Sequence, residues 1–273
     1  MASDMKAALV TGASAGIGSE FARLLAGEGK ALLLTARRKD RLDALAEELR
    51  AARGVRVETV PLDLAEASTP QAIADKAAAR GFEIDLLVNN AGFGLRGPFA
   101  ERPLERQIAM VTVNIAALTH LTGLLLPPML ARGRGGIINV ASIAAFQPGP
   151  LMSVYYASKA YVLSFSEALD REVRGKGVVV TALCPGLTES EFAEVAGYAL
   201  SPRLERAAMT SREVARLGLA AHRAGKRVAI TGVQNKLFAA AAGILPHGLT
   251  MSLIDAVQRS SGGGRARDMG AAS

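Results

Sequence analysis

Seven short, almost continuously apolar runs punctuate the chain, and longer stretches with helical periodicity separate them. The runs are AALV (7–10), ALLLT (31–35), VRVETV (55–60), DLLVNN (85–90), GIINV (136–140), VVVTALC (178–184) and RVAIT (227–231). A strand wetted on one face alternates apolar with polar residues, whereas near-continuous apolar runs belong to strands covered on both faces. The segments at about 16–28, 40–52, 69–80, 103–130, 153–174 and 211–224 have the length and pattern of the covering helices. Strand–helix–strand alternation from end to end implies parallel pairing with right-handed crossovers. The expected fold is α/β, a doubly wound seven-stranded parallel sheet with helices on both faces. No linker or composition break falls before residue 260, so residues 1–259 read as one domain. The remainder, SSGGGRARDMGAAS (260–273), is rich in Gly, Ser and Ala and reads as a disordered tail.

A chain of 273 residues, half of them hydrophobic, buries enough surface to need no covalent staple. Cys184 is the only cysteine, which excludes an intrachain disulfide. His120, His222 and His247 show no ligand spacing, so no metal is expected. The N-terminus lacks the apolar segment of a secretory signal. The greasiest helix, Ile108–Leu126, carries Asn114, His120 and several threonines, and reads as a buried helix with no transmembrane role. A cytoplasmic location is expected. The formal charge is +7. Its cations are interleaved with acids, as in RRKDRLDALAEELRAARGVR, which describes a solvated helix face with arginines near Asp43 rather than a nucleic-acid surface.

The first run leads into a glycine turn and a helix, ALVTGASAGIGSEFARLLA, with Gly12, Gly16 and Gly18 spaced G-x-x-x-G-x-G. Glycines permit tight bending and close approach of a pyrophosphate to backbone N–H groups, and the following helix presents its positive end to phosphate. The second run ends at Ala36, followed by Arg37 and Arg38. A site for a 2′-hydroxyl ribose usually carries an acid there, whereas a guanidinium can grip a 2′-phosphate. NADP(H) is therefore the expected cofactor, ahead of NAD(H). Asp40, the competing acid, is expected to cap the next helix.

In SVYYASKAYVLSF (153–165), three tyrosines surround Lys159. On a helix turning by about 100° per residue, Tyr155 lies roughly 40° from Lys159 and Tyr156 roughly 60°. Spacing alone leaves both phenols open as partners of the lysine, and Tyr161 faces elsewhere.

TGASAGIG (11–18), NNAG (89–92), Ser142 in NVASIA and YYASK (155–159) fall in this order on the expected strands and helices. Together they resemble the classical short-chain dehydrogenases/reductases, over residues 5 to about 245. PGLTESEF (185–192) and NKLFA (235–239) look like a bacterial branch of uncharacterised reductases. The resemblance implies a Rossmann fold, an oxidoreductase activity and a homodimer or homotetramer built on the helices near 103–126 and 153–170. It selects Tyr155 as general acid/base, thirteen residues after Ser142, with Lys159 to stabilise its phenolate and hold the nicotinamide ribose. Ser142 would bind the substrate oxygen, and Asn114 would bend its helix around a water. The cofactor would lie on Gly12, Ser14, Ala15, Gly16, Ile17 and Gly18, with Arg37 and Arg38 at its 2′-phosphate. Asp63 and Leu64 would meet the adenine; Asn90, Ala91 and Gly92 the adenosine ribose; and Pro185, Gly186 and Thr188 the nicotinamide. Without the resemblance, Asn114 is a polar residue on an apolar face that needs a partner, and Asp63 and Thr188 read as helix caps.

Phe93, Ala144, Phe146, Leu151, Tyr156, Leu187 and Phe192 are the expected substrate wall, with the loop at about 187–210 as a lid. Their apolar character points to a hydrophobic ketone, aldehyde or secondary alcohol. No buried charge selects a carboxylate or phosphate substrate; Arg96 could, but it reads rather as an exposed arginine. A β-ketoacyl carrier-protein reductase is an alternative that the basic surface would suit. A nucleotide-sensing regulator on the same scaffold is another, but a sensor has no need of a general acid.

Overall fold

All seven apolar runs become strands of one parallel sheet in the computed structural model, which describes residues 5–199, 202–242, 248, 251–252 and 254–255. The tail expected at 260–273 lies outside the described residues. In chain order the strands are β1 (Met5–Thr11), β2 (Ala31–Ala36), β3 (Val57–Pro61), β4 (Phe82–Asn89), β5 (Gly135–Val140), β6 (Val178–Cys184), the short β7 (Thr188–Glu189) and β8 (Met209–Thr210), and β9 (Val228–Ile230). The sheet order is β3-β2-β1-β4-β5-β6-β9, so the chain reverses its direction of travel between β1 and β4. The helices are α1 (Gly16–Gly27), α2 (Lys39–Arg53), α3 (Thr69–Ala79), α4 (Leu104–Val111), α5 (Leu118–Ala131), α6 (Ser153–Val173), α7 (Phe192–Val195), α8 (Pro202–Ala207), α9 (Ser211–Arg223) and α10 (Val233–Ala242).

The period-2 geometry of β1 divides the core between the two faces. Ala8 and Val10 join Phe21 and Leu25 of α1, Leu42 and Leu45 of α2, and Val214 and Leu219 of α9. Ala7 and Leu9 point the other way, toward Ile73 of α3, Leu121 and Leu125 of α5, and Leu169 of α6. Both clusters are buried, which is why the runs carry apolar residues on successive positions. On the second face, the buried Asn89 donates to Thr122 at 3.2 Å and Asn139 at 2.9 Å, and Asn139 donates to Ser166 at 2.9 Å. Asp170, at the end of α6, is almost fully buried and accepts from Arg174 at 2.6 Å and from Arg227 at 3.0 Å. It thereby ties the edge strand β9 to the core.

Several local expectations need correction. The helix expected at 103–130 is interrupted by a π-helical turn over Thr112–Ala117. Asp40 does not cap α2: it lies in the first turn, after an extended Arg38, where an acid still complements the helix dipole. Asp43 pairs with Lys39 rather than with an arginine. Asp63 caps no helix, since α3 begins after Ser68; its Oδ1 accepts from the Ala65 N–H at 3.0 Å in a local turn. Thr188 caps no helix either. It lies in β7, which pairs with β8 across the excursion at 187–210.

Leu104–Ala131 is long and apolar enough to cross a membrane by length and composition. In the fold, Met110, Leu118, Leu121, Leu125 and Met129 pack inward. Cys184 is buried at the end of β6, and burial pushes its thiol up to about 12, which leaves it unreactive. His222 lies beneath the opposite end of the sheet, its Nδ1 3.1 Å from the Thr181 hydroxyl, and burial holds it down to about 4. Among the described residues no group of His, Cys, Asp and Glu is arranged to hold a metal.

Candidate active site

The crevice outside the carboxyl ends of β1 and β4 sits where the sheet order reverses, the usual ligand position in a doubly wound sheet. The glycine turn forms its floor. Gly12 and Gly16 adopt φ of +65° and +57°, a region hostile to other residues. A Cβ on Gly18 would collide with the Gly12 carbonyl oxygen and lie 2.5 Å from the Asn90 amide nitrogen. Ala15, at the N-cap of α1, supplies no side-chain cap, and no acid occupies the first turn. Such a helix start is suited to a phosphate.

Thr11 joins this turn to β4. Its hydroxyl accepts from the Asn90 and Ala91 N–H groups at 3.0 and 2.9 Å and donates to the Val88 carbonyl at 3.3 Å. The Asn90 side chain donates to the carbonyls of Thr11 at 2.9 Å and Gly12 at 3.3 Å, so it braces the turn. A Cβ on Gly92 would stand 3.0 Å from Asn114 Oδ1 and 3.4 Å from Lys159 Nζ. These glycines let the turn and the loop after β4 pack closely on Asn90, Ala91 and Asn114.

Tyr155 and Lys159 both lie on the buried face of α6. The Lys159 ammonium donates to the Val140 carbonyl at 2.8 Å and stands 5.8 Å from the centre of the Tyr155 ring. The Ser142 side chain lies close enough to the Tyr155 hydroxyl to act on its titration. Ser142 follows β5, where its Oγ accepts from the Ala144 N–H at 3.1 Å and caps a 3-10 turn over Ile143–Phe146. Tyr156 packs edge-on to Tyr155 and fills the space beside Gly149. Tyr161 stacks on Phe165 and bonds Thr119 at 2.9 Å. Of these three phenols, Tyr155 is the one with Lys159 near its ring and Ser142 beside its hydroxyl.

Asn114 finds the partners its burial demands. Its Oδ1 accepts from the Phe93 N–H at 3.1 Å, and its Nδ2 donates to the Phe93 carbonyl at 3.1 Å and to Ser158 Oγ at 3.0 Å. The π-helical turn carries this amide, which links the loop after β4 to α6. A wider turn of this kind often marks a functional site.

Burial acts on the two titrating groups in opposite directions. It raises the Tyr155 phenol well above the usual range, and the influence of Ser142 only partly offsets it. It lowers the Lys159 ammonium to about 8. The phenol depressed by its lysine, expected from the sequence, is therefore not the resting condition of the free chain. Desolvation penalises phenolate and ammonium alike, so near neutral pH the pair rests as phenol and ammonium.

On the adenosine side, Arg38 reaches Ser14 Oγ through Nε at 3.3 Å and Nη2 at 3.2 Å. Arg37 is well exposed, with Nη1 4.0 Å from Asp63 Oδ2. Leu64 is buried within the core. Across the crevice, Pro185 accepts from the Ile143 N–H at 2.9 Å, the Thr188 hydroxyl donates to the Gly186 carbonyl at 3.0 Å, and Gly186 packs against the Asn235 amide.

An apolar cluster adjoins the Tyr155 ring. Of the expected wall, Phe93, Ala144, Tyr156 and Phe192 belong to it; Phe146 instead packs against Leu118, Ala141 and Val162. Met110, Leu95, Met152, Val154, Ala196 and Tyr198 also belong to the cluster. Phe192 comes from the excursion after β6 and places its ring 5.0 Å from that of Tyr155. Arg96 is half-buried rather than exposed, with its guanidinium 5.7 Å from the Tyr198 ring. Leu151 adopts φ +63°, a strained position immediately before α6. Thr11, Ser158 and the Val140 carbonyl were missed by sequence reasoning. Thr11 and Ser158 lie inside quoted motifs and were legible there as buried polar groups, whereas Tyr198 has no local signal.

The short chain dehydrogenase family model matches residues 6–198. Sulfoacetaldehyde reductase 2 of Chromohalobacter salexigens is 39% identical over 186 residues, which are 67% of this chain and 73% of that protein. The human very-long-chain 3-oxoacyl-CoA reductase is 35% identical over 192 residues, 69% of this chain and 61% of its own length. A solved structure of a short-chain dehydrogenase from Sphingobium yanoikuyae, in complex with NADPH, superposes with a TM-score of 0.78. It is 32% identical, and the match covers 98% of this chain and 99% of that one.

Proposed function

The chain belongs to the short-chain dehydrogenase family, an oxidoreductase family acting on CH–OH and C=O groups, and we propose on that premise that it is an NADP(H)-dependent reductase of apolar ketones or aldehydes with Tyr155 as its general acid. The observation that carries this reading is the Ser142–Tyr155–Lys159 arrangement beside a glycine-lined cradle. The residues present fit a dinucleotide. Gly12 and Gly18 let the turn pack directly on Asn90 and Ala91, where a Cβ would clash; the uncapped start of α1 suits the pyrophosphate, and Ser14, Arg37 and Arg38 suit a 2′-phosphate. Ala15, Gly16 and Ile17 complete the turn, and Asp63, Leu64, Asn90, Ala91, Pro185, Gly186 and Thr188 border the groove. The NADPH complex of the Sphingobium relative supports this cofactor. Bound there, NADPH would supply the hydride.

The remaining chemistry belongs to the chain. In this reading the Ser142 and Tyr155 hydroxyls, neighbours in the site, both bond the substrate's carbonyl oxygen. Tyr155 gives that oxygen its proton as the carbonyl is reduced. The phenolate left behind forms beside the Lys159 ammonium, an attraction stronger with the charge developed than before, and such differential interactions accelerate a step. Asn114 is a positioning residue, holding Phe93 and α6 in register. Phe192 covers the Tyr155 ring, and its displacement would admit substrate.

The apolar cluster supports a hydrophobic substrate. The carbonyl reductases among its relatives support the direction. The 3-oxoacyl-CoA relative keeps a β-ketoacyl thioester as a second reading. Phe99, Leu104, Ile108 and Tyr161 expose apolar surface along α4 and α6, which supports a homodimer or homotetramer through this face. A cytoplasmic location suits the single buried thiol.

The test is a panel of aryl and bulky alkyl ketones, aldehydes, carboxylated ketones and an acetoacetyl thioester, followed by absorbance of the reduced nicotinamide. Uncharged apolar carbonyls should be reduced fastest, with kcat/KM at least ten-fold higher for NADPH than for NADH. A clear preference for NADH contradicts the role of the arginines, and a preference for the thioester selects the second reading.

A further inference from the structure

The arginine expected at the 2′-phosphate already holds an anion from within the chain. Glu191, in the excursion after β6, places Oε2 2.7 Å from Arg38 Nη1, and its other carboxylate oxygen is bonded by Arg41. The same Arg38 guanidinium rests on Ser14 Oγ, at the glycine turn. The neighbouring Ser190 lies over that turn, since a Cβ on Gly16 would stand 3.3 Å from Ser190 Cβ. The excursion is anchored in this position by Ser211, whose hydroxyl donates to the Glu189 carbonyl at 2.7 Å. Two guanidiniums, Arg41 foremost, hold the Glu191 carboxyl below the usual carboxylate range, so it is charged near neutral pH. Among the described residues, Arg37 by contrast pairs with Asp63 alone, at 4.0 Å.

We propose that Glu191 is a specificity-determining residue: it is an internal competitor for Arg38 that a 2′-phosphate must displace, and that a ribose with a free 2′-hydroxyl can leave in place. This rests on the reading of Arg38 as the 2′-phosphate ligand. A dianionic phosphate makes stronger charge-assisted bonds to a guanidinium than a carboxylate does, so it wins the exchange. The competition nevertheless narrows the preference between the two dinucleotides. Arg41 keeps its bond to Glu191 as the carboxylate moves off Arg38.

Isothermal titration of the whole chain with 2′,5′-ADP and with 5′-ADP tests this without turnover. Glu191→Gln should bind 2′,5′-ADP about ten-fold more tightly, an effect of about 1.4 kcal/mol, with 5′-ADP unchanged within about two-fold. Glu191 is partly exposed and its loss leaves the core intact. An unchanged 2′,5′-ADP affinity overturns the proposal, as does an equal weakening of both ligands, which would make Glu191 a clasp for the loop. Arg38→Ala, titrated alongside, separates the two claims. It should lose most of the preference for 2′,5′-ADP, and a preference retained there overturns the reading of Arg38 itself, whatever Glu191→Gln does.

Discussion

Tyr155→Phe is expected to slow carbonyl reduction by about 10²–10⁴-fold, the usual contribution of a placed general acid, while NADPH affinity changes by less than about two-fold. The substitution removes one oxygen from a buried ring. The ring's packing on Tyr156, at 6.1 Å between centroids, and on Phe192, at 5.0 Å, survives, so the fold and the cradle remain. What disappears is the proton between Ser142 and the substrate oxygen. Tyr156→Phe is the matched control. Its ring lines the same cluster, but Ser142 and Lys159 lie beside its neighbour instead, and the rate should fall by no more than about ten-fold, the scale of one lost hydrogen bond. The comparison requires steady-state rates for both variants and NADPH binding by fluorescence. The reverse ranking would reassign the acid.

Gly18→Ala is expected to weaken NADPH binding by roughly 100-fold and to destabilise the chain by about 1–3 kcal/mol, as forced overpacking does. The added methyl has no room: it meets the Gly12 carbonyl on one side and the Asn90 amide on the other. Neither neighbour can yield freely. Gly12 is held in its left-handed conformation, and the Asn90 side chain is committed to the Thr11 and Gly12 carbonyls. The turn must therefore move away from β4, and the start of α1 moves with it. Fluorescence titration and thermal unfolding measure the two effects; Gly27→Ala, where a Cβ meets nothing within 4 Å, should alter neither.

The parts legible in the sequence are those encoded by local spacing. Apolar runs marked the seven strands because each face of the sheet is covered, and the helical interval placed Tyr155 and Lys159 on one side of α6. Spacing could not choose between Tyr155 and Tyr156, since three- and four-residue steps both bring side chains together; the proposed choice of Tyr155 draws on Ser142, which follows β5 and lies beside it. Long-range contacts were illegible. The Thr11 hydroxyl joins residues some eighty positions apart in the chain, and Glu191 meets Arg41 across 150. The π-helical turn carries Asn114, whose partners Phe93 and Ser158 lie 21 and 44 residues away in the chain. The direction of the Tyr155 shift depends on depth of burial, and a lysine four residues away announces only the opposing influence.

The pH dependence of kcat/KM for carbonyl reduction, measured with saturating NADPH on wild type and Lys159→Met, tests the central claim most directly. Lys159 is lowered to about 8 in the free chain, so its ammonium is present below that pH and lost above it, while Tyr155 keeps its proton throughout. The account predicts a plateau at neutral pH and a fall of about ten-fold per unit above about 8, and a variant at least 100-fold slower without that fall. A wild-type profile flat through about pH 10, or a Lys159→Met variant that keeps the fall at near-wild-type rates, would contradict it.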